Sequence, residues 1–234
     1  MSMTEDNQYL SEEDRSRIRS DVYLNKRYSA NKDGKIVFFV KFCKDKDVLD
    51  LGCVDHDPKN EKSTLWLHRA IKNVASSVLG LDFYQKGVDD LVKKGYNVVC
   101  ENAQSFDFGK KFDVITAGDL IEHVENPGLM FSCVEKHLED GGIFVISTPN
   151  PWCWKYTLYF WLFSKMDKVN QEHVAWYCPE TLRLLGSRYG FAVQEIEYSS
   201  RRFWEKIIPL PSSMRATTIN LAYVKTFANL DIEK

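Results

Sequence analysis

Short apolar runs recur along the middle of the chain, and each is followed by a stretch whose apolar residues have helical spacing. The runs predict strands at about 48–51, 77–82, 96–100, 112–117 and 143–147. The stretches between them predict helices at about 64–74, 85–94 and 128–138. Such regular alternation of strand and helix is typical of an α/β protein with a parallel, doubly wound sheet.

The two ends of the chain have different patterns. Residues 11–26 predict a helix with acids in its first turn, and residues 35–43 predict a short apolar helix that packs on the sheet. Near the other end, residues 191–198 alternate apolar and polar side chains as an antiparallel strand does. Residues 217–227 predict the last strand.

Two acidic residues stand where predicted strands end. Asp50 closes the first strand, just before Gly52, and Asp82 closes the second. Ligands bind an open α/β sheet at the carboxyl ends of its strands, and an acid after the second strand is placed to accept hydrogen bonds from a ribose diol. Gly52 has no Cβ and allows a close backbone approach. The pattern predicts a ligand with an adenosine and a positively charged group.

Five motifs follow one another along the chain, namely VLDLGC, VLGLD, CENAQSF, FDVITAGDLIEHVENP and GGIFVISTPN. In this order they resemble class I S-adenosylmethionine-dependent methyltransferases, and more narrowly the branch with an acidic LEHV-type turn after the fourth strand. The resemblance runs from about Lys46 to Pro151 and continues more weakly to the end of the chain.

The resemblance implies a Rossmann-like, doubly wound α/β fold with a seven-stranded, mostly parallel sheet, an antiparallel C-terminal strand and helical lid elements. It divides the chain into an N-terminal helical lid at 1–44 and a cofactor-binding domain at 45–234, with an aromatic cover segment inserted at about 152–178. Tyr23 and Tyr28 are candidates for the lid. The implied cofactor is S-adenosylmethionine, and its expected contacts are Asp50, Gly52, Cys53, Asp82, Phe83, Glu101, Asn102, Ala103, Gly118, Asp119 and Leu120.

The loop after the first strand departs from the family's pattern. The family usually has G-x-G-x-G there, whereas residues 52–56 of this chain read GCVDH. A polar stretch at 56–63 also lengthens the interval between the two strand-end acids. We interpret this stretch as an inserted loop over the cofactor edge.

Two histidines are candidates for a catalytic base, because an imidazole can take a proton near neutral pH. His123 belongs to the family-like Glu122-His123 pair, and His173 stands where family members often place a histidine that faces the acceptor. For either residue a purely structural role is the alternative. His68 is expected to be structural, and His137, at the end of an exposed helix, is expected to be solvated.

Composition narrows the classes of function. The 234 residues are 44% hydrophobic, which suits one globular domain with small additions. A net charge of -2 gives no general reason to bind nucleic acid. The 6 cysteines form no C-x-x-C pair, and no His or Cys pair has zinc spacing, so reduced thiols and no metal site are expected.

The N-terminal residues and the lengths of the apolar runs predict where the protein is located. The first twenty or so residues are acidic and polar, which predicts no signal peptide. No apolar run reaches the roughly 18 residues of a membrane span, so no integral membrane segment is expected. These features predict a cytoplasmic protein.

The methyl acceptor stays open at this point. The resemblance implies a small molecule, a glycan or a lipid intermediate, with O-methylation favoured over N- or C-methylation. The aromatic stretch at 152–163 suits a helix that covers an apolar or ring-shaped acceptor. It also suits a partner interface, including a homodimer. A helix on a membrane surface is the weaker alternative, because Lys155 and Lys165 are the only nearby cations.

Three rival functions remain. A nucleotide-dependent oxidoreductase would share the ribose acid, but it would need G-x-G-x-x-G after the first strand, which this chain lacks. A nucleic-acid methyltransferase of the amino-methylating kind would carry an N/D-P-P-Y/F/W motif after the fourth strand, where this chain reads GDLI. A degenerate domain that acts through a protein partner is the non-enzymatic alternative.

Overall fold

The computed structural model describes residues 26–29, 34–54, 66–164, 170, 172–200 and 209–226. Its strands are β1 (Lys26–Ser29), β2 (Asp47–Leu51), β3 (Ser77–Asp82), β4 (Val98–Cys100), β5 (Phe112–Gly118), β6 (Leu138–Pro149), β7 (Phe191–Ser199) and β8 (Thr218–Lys225). Its helices are α1 (Gly34–Cys43), α2 (Leu67–Lys72), α3 (Gln85–Lys93), α4 (Pro127–His137), α5 (Trp154–Phe163), α6 (Pro179–Ser187) and α7 (Ser212–Arg215), with a 3-10 turn at Ile121–His123.

All the described strands join one sheet in the order β1-β7-β8-β6-β5-β2-β3-β4. β8 is antiparallel to both of its neighbours, β6 and β7, and the other pairs in this sheet are parallel. The run from β7 to β4 is the predicted seven-stranded, doubly wound sheet with an antiparallel C-terminal strand. The predicted fold class is therefore confirmed.

An eighth strand, β1, extends the sheet beyond the predicted seven. It pairs in parallel with β7, and the Cα of Tyr28 is opposite that of Tyr198. The sequence did not indicate this strand, because its four residues, KRYS, carry no alternating pattern. The predicted helix at 11–26 and the lid candidate Tyr23 lie outside the described residues, apart from Lys26, which begins β1.

Helices cover both faces of the sheet, which is why the central strands are apolar on both sides. On one face α1 buries Phe38 and Phe39 against Val48 and Val114. Burial of each phenylalanine stabilises the fold by about 1.5–3 kcal/mol. On the other face α4 contributes Met130, Phe131 and Val134, which are fully buried in the larger core cluster.

The boundary between α4 and β6 differs from the prediction. The helix predicted at about 128–138 ends at His137, and β6 begins directly at Leu138, five residues before the predicted strand at 143–147. The cause is burial, since Leu138 is fully buried and pairs with Phe112 of β5. His137 is itself 1% exposed, and its Nδ1 donates to the carbonyl of Cys133 at 2.7 Å, so the expectation that it is solvated was wrong.

The aromatic stretch forms α5, and none of the helix residues is buried. Trp161 is 77% exposed, and the neighbouring Phe160, Leu162 and Phe163 are more than half exposed. Among the helices that the structure describes, none combines the length and the apolar character that crossing a bilayer requires.

Candidate functional site

The sheet reverses its winding direction between β2 and β5. The chain proceeds from β2 outward to β3 and β4, whereas β5 lies on the other side of β2 and leads to β6. In open α/β sheets, ligands bind in the crevice at the carboxyl ends of the strands at this point. The expected cofactor residues follow β2, β3, β4 and β5, so the fold gathers them at one edge.

Gly52 lets the loops after β2 and β5 approach each other. Its φ of +74° lies in the left-handed region, which favours glycine. A Cβ at this position would lie 3.2 Å from Cδ1 of Leu120. The two residues, both expected at the cofactor, are therefore neighbours at the reversal of the sheet.

The backbone amides at the start of this loop form hydrogen bonds with the neighbouring strand β3. The amides of Gly52 and Cys53 both donate to the carbonyl of Leu81, at 2.8 and 3.2 Å. The carbonyl of Cys53 accepts from Nε1 of Trp66 at 3.0 Å, and the Cys53 side chain is 2% exposed. The loop is thus held in place without the later glycines of the family's pattern. The polar stretch at 56–63 lies outside the described residues.

Asp82 ties together the loops that follow β2 and β3. Its carboxylate accepts from the amide of Val54 at 2.9 Å and from the amide of Tyr84 at 3.0 Å. The side chain is 7% exposed. A carboxylate has about four lone-pair sites, so its oxygens can accept more than two hydrogen bonds. Asp82 therefore fixes both loops at the edge of the crevice, and its expected contact with a ribose diol stays a prediction.

Asp50 has a different environment from Asp82. Its Oδ1 accepts from the hydroxyl of Thr116 at 2.6 Å, and its Oδ2 lies 2.9 Å from Nδ1 of His68. All three side chains are almost completely buried. The carboxylate thus lies inside the core beneath the crevice, and its expected contact with the cofactor stays a prediction.

The remaining residues after β3 and β4 lie at the surface. Phe83 is 76% exposed, so its ring is open to a flat ligand. Glu101 and Asn102 are exposed, and Ala103 packs partly against the core. The Asn102 side-chain oxygen accepts from the amide of Gln104 at 2.9 Å, which shapes the turn after β4. Their contacts with a cofactor stay predictions.

Gly118 and Asp119 connect β5 to the 3-10 turn. Asp119 has a φ of +53°, and its Oδ2 pairs with Nζ of Lys35 at 2.6 Å. The hydroxyl of Ser147, at the end of β6, donates to its Oδ1 at 2.7 Å. A Cβ on Gly118 would lie 2.5 Å from Cδ2 of Leu67. Asp119 is thus oriented from two sides, by a cation of α1 and a hydroxyl of β6.

The 3-10 turn meets the segment before α6. The carbonyl of Glu122 accepts from the amides of Val174 and Ala175, at 2.8 and 3.4 Å. These backbone bonds bring His173 against His123, with 4.7 Å between ring centroids and an edge-on arrangement. The structure therefore brings together the two histidines predicted to be catalytic, although they are distant in sequence.

The carboxyl group of Glu122 is buried beside this pair. The side chain is 1% exposed, and neither oxygen has a hydrogen-bond partner among the described residues. The Thr148 hydroxyl is close enough to influence the carboxyl, but the two groups do not form a hydrogen bond of good geometry. Burial, and then the charge of Asp119, raises the pKa of Glu122 to about 8.

The pKa of His173 is shifted downward, whereas that of Glu122 is raised. Burial lowers the pKa of the His173 imidazole below its ordinary value, and the neighbouring His123 lowers it further. Asp119 and Glu172 act against this shift because their charges favour the imidazolium. The neutral imidazole is therefore favoured at His173.

Aromatic side chains continue from the histidines to α5. The rings of His173 and Trp176 are 6.1 Å apart, and those of Trp176 and Tyr156 are 5.6 Å apart. Tyr156 belongs to α5, whose outer residues are exposed. The polar cluster at the 3-10 turn is thus flanked by an apolar, aromatic surface.

Sequence reasoning missed several side chains of this region. Lys35 lies in an apolar helix outside the quoted motifs, and Ser147 lies within the fifth motif, where nothing marked it as a partner of Asp119. Glu122 was recognised only as the neighbour of His123. The buried partner of Asp50, His68, was expected to be structural, but no spacing rule connected the two residues.

Comparison with known proteins agrees with this fold. A family model described as a methyltransferase domain matches residues 23–196, well over half of the chain. Among solved structures, a Mesorhizobium loti S-adenosylmethionine-dependent methyltransferase covers 83% of this chain and 100% of its own, with a TM-score of 0.58 and 21% identity. An Archaeoglobus fulgidus SAM-dependent methyltransferase covers 82% and 92%, with a TM-score of 0.61 and 18% identity.

One curated relative gives a shorter match. The ubiquinone biosynthesis O-methyltransferase of Pasteurella multocida is 28% identical over 90 residues, which are 38% of this chain and 36% of that protein. The match thus spans about a third of the relative's length. The family-model match covers well over half of the chain, and the shared fold agrees with it. This chain therefore belongs to the methyltransferase domain family.

Proposed function

We propose that the protein transfers the methyl group of S-adenosylmethionine to a hydroxyl of a small, apolar or ring-bearing acceptor. The family supports methyl transfer. The observation that supports binding of the donor's adenosine is Asp82, an oriented carboxylate at the end of β3, next to the exposed ring of Phe83. A ribose diol and an adenine are the groups that such a pair would bind.

The residues of the crevice fit such a donor. Gly52 and Leu120 form the floor where the sheet reverses, and Asp119 faces the same edge, flanked by the cation of Lys35. An ammonium group and a carboxylate group, as in a methionine moiety, would find an opposite charge in this pair. When bound, the donor supplies a methyl group on a cationic sulfur, so the protein must mainly hold the acceptor atom in line with it.

The acceptor side is proposed to be the cluster at the 3-10 turn. His123 and His173 are adjacent, and either imidazole could accept the proton of a hydroxyl. Trp176 and Tyr156 extend an aromatic surface away from them, which would suit an apolar or ring-shaped molecule. The curated relative's name includes O-methylation, which supports oxygen as the acceptor atom. A glycan or a lipid intermediate remains within the proposal.

The proposed domain organisation follows the same division as the sequence pattern. Residues 1–44 would include a lid over the donor and the acceptor, and residues 45–234 would bind the cofactor. Within this N-terminal part, α1 packs on the sheet through Phe38 and Phe39. Since β1 is a strand of the sheet, the lid role is proposed for the residues before β1.

Calorimetric titration with S-adenosylmethionine, S-adenosylhomocysteine and NAD tests the donor. Micromolar binding of the first two and none of NAD is expected. Binding of NAD alone would favour the nucleotide-dependent oxidoreductase and overturn the proposal. Binding of none of the three would favour a degenerate domain that acts through a partner. An acceptor screen with radiolabelled donor, over phenols and aliphatic alcohols of similar size, then tests the reaction.

A further inference from the structure

We propose that Glu122, His123 and His173 form a binding site for a divalent transition-metal ion, with Zn²⁺ as the best match. Each residue offers one ligand atom, and these atoms all lie within 4.8 Å of one another. Zinc holds nitrogen and oxygen ligands at about 2.0–2.1 Å, so its ligands lie roughly 3.3 Å apart. Side-chain rotation would cover the remaining difference.

The burial of Glu122 is the second observation that points to a cation. Its carboxylate is 1% exposed and has no hydrogen-bond partner among the described residues. A buried carboxylate without a partner is costly, and a bound cation offsets that cost. Nδ1 of His173 is likewise buried and without a partner in the described part of the chain. Two of the three ligand groups thus lack the hydrogen bonds that buried polar atoms normally have.

The backbone keeps these side chains together without a metal. The amides of Val174 and Ala175 donate to the carbonyl of Glu122, so the segment that carries His173 is fixed to the turn that carries the other two ligands. Trp176 packs against the edge of His173. The ion would therefore bind to a largely formed site and would not have to assemble it.

The ligand set selects the class of metal. Imidazoles suit zinc, iron, nickel and copper, whereas magnesium and calcium prefer oxygen ligands. Three protein ligands leave at least one position for water or for an acceptor oxygen, as in catalytic zinc sites. That the site faces the acceptor rests on the proposed function, but the binding of metal does not.

Metal binding and the role of a histidine as base exclude each other at these residues. With an ion bound, the imidazole lone pair that would accept a proton is instead a metal ligand. The site would then also contradict the expectation from sequence spacing that the chain has no metal site. No spacing rule connects His173 to Glu122 and His123, because about fifty residues separate them in the sequence.

The test measures metal binding directly. The full chain is stripped with a chelator and dialysed, and it is then titrated with ZnCl₂, CoCl₂ and MgCl₂, while elemental analysis counts the bound metal. About one tightly bound Zn²⁺ per chain is expected, and no comparable binding of Mg²⁺. The visible spectrum of the Co²⁺ form should lack thiolate charge-transfer bands, because no cysteine is among the proposed ligands.

Variants separate this site from adventitious binding. His173→Ala and Glu122→Gln should each weaken Zn²⁺ binding at least tenfold, since loss of a ligand costs no less than loss of an outer hydrogen bond. Glu125→Gln is the matched control, because this exposed carboxylate is close to Glu122 in sequence but outside the group. It should bind Zn²⁺ as the wild type does. If Glu122→Gln fails to fold, His173→Ala, on a half-buried side chain, decides.

Two outcomes would overturn the proposal. One is Zn²⁺ binding that His173→Ala and Glu122→Gln leave unchanged, which would mean adventitious binding only. The other is stoichiometric binding by none of the transition metals. Titration of the same samples with S-adenosylhomocysteine keeps the two proposals apart. Donor binding without metal binding overturns only the metal site, and metal binding without donor binding overturns only the proposed function.

Discussion

Nδ1 of His68 lies 2.9 Å from Oδ2 of Asp50, and both side chains are buried in the core. The other oxygen of Asp50 accepts from the hydroxyl of Thr116 at 2.6 Å. Asp50 thus connects three elements, β2, α2 and β5, at the point where the sheet reverses. The first acid of the methyltransferase pattern therefore stabilises the loop region from below.

Substitutions that remove the hydrogen bond between His68 and Asp50 should destabilise the fold. His68→Gln and Asp50→Asn should each lower the free energy of unfolding by about 1–3 kcal/mol, because a buried partner is left without its hydrogen bond. The double variant should cost less than the sum of the two single changes, since they remove the same interaction. Urea denaturation measures all four proteins of the cycle. Additive costs would mean that the two residues act independently.

Asp82 should control donor affinity. Asp82→Ala should weaken binding of S-adenosylhomocysteine by about 1–3 kcal/mol, or roughly 5–150-fold in the dissociation constant, because the ribose hydroxyls lose their acceptor. Calorimetry measures the change. Asp90→Asn, on the exposed face of α3, is the control and should bind normally.

Asp82 also holds the amides of Val54 and Tyr84, so the stability of its variants must be measured together with affinity. Asp82→Asn keeps one acceptor oxygen and should lose less affinity than the alanine variant. Unchanged affinity in both stable variants would remove Asp82 from the donor site.

Gly80 leaves room for the packing beneath the crevice. A Cβ there would lie 2.7 Å from Sγ of Cys53, 2.7 Å from Cγ1 of Val98 and 2.8 Å from Cε1 of His68. Gly80→Ala should therefore lower the free energy of unfolding by about 1–3 kcal/mol through overpacking. Val98→Ala removes one of these neighbours and should reduce the cost when it is combined with Gly80→Ala. If Gly80→Ala lowers the free energy of unfolding equally with and without Val98→Ala, the contact with Val98 is not the cause of the destabilisation.

The buried thiols should resist alkylation over a wide pH range. Burial, and then the charge of Asp50, raises the pKa of Cys43 and of Cys53 far above the ordinary thiol value. Since the thiolate is the reactive form, raising the pH from 7 to 9 should not label either residue in the folded protein. Cys100 and Cys178, which are partly exposed, should be labelled first. Peptide mass spectrometry after timed iodoacetamide treatment gives the order, and urea-unfolded protein is the control.

His173 should affect turnover more than donor binding. With an acceptor found by the screen, His173→Ala should lower kcat by about a hundredfold or more, whether the imidazole acts as a base or as a metal ligand. Calorimetry should find the affinity for S-adenosylhomocysteine unchanged. Loss of donor affinity would mean that His173 belongs to the donor site. Recovery of turnover with added Zn²⁺ at high concentration would favour the metal role.

The order of strands and helices could be predicted from the sequence, because burial on one or both faces leaves a local pattern of apolar residues. The strand at Ser77–Asp82 and the helix at Gln85–Lys93 agree with prediction to within a residue. The two strand-end acids could be found in the same way. β1 could not, since four residues that pair at an edge leave no periodic pattern.

The tertiary structure alone decided what these side chains meet. Asp50 and Asp82 have the same sequence signature, yet one is sealed in the core by His68 and the other holds the loops at the crevice. Glu122, His123 and His173 converge because backbone hydrogen bonds join a turn to a distant segment. Local patterns record which residues are buried, but they do not record which distant residues share that burial.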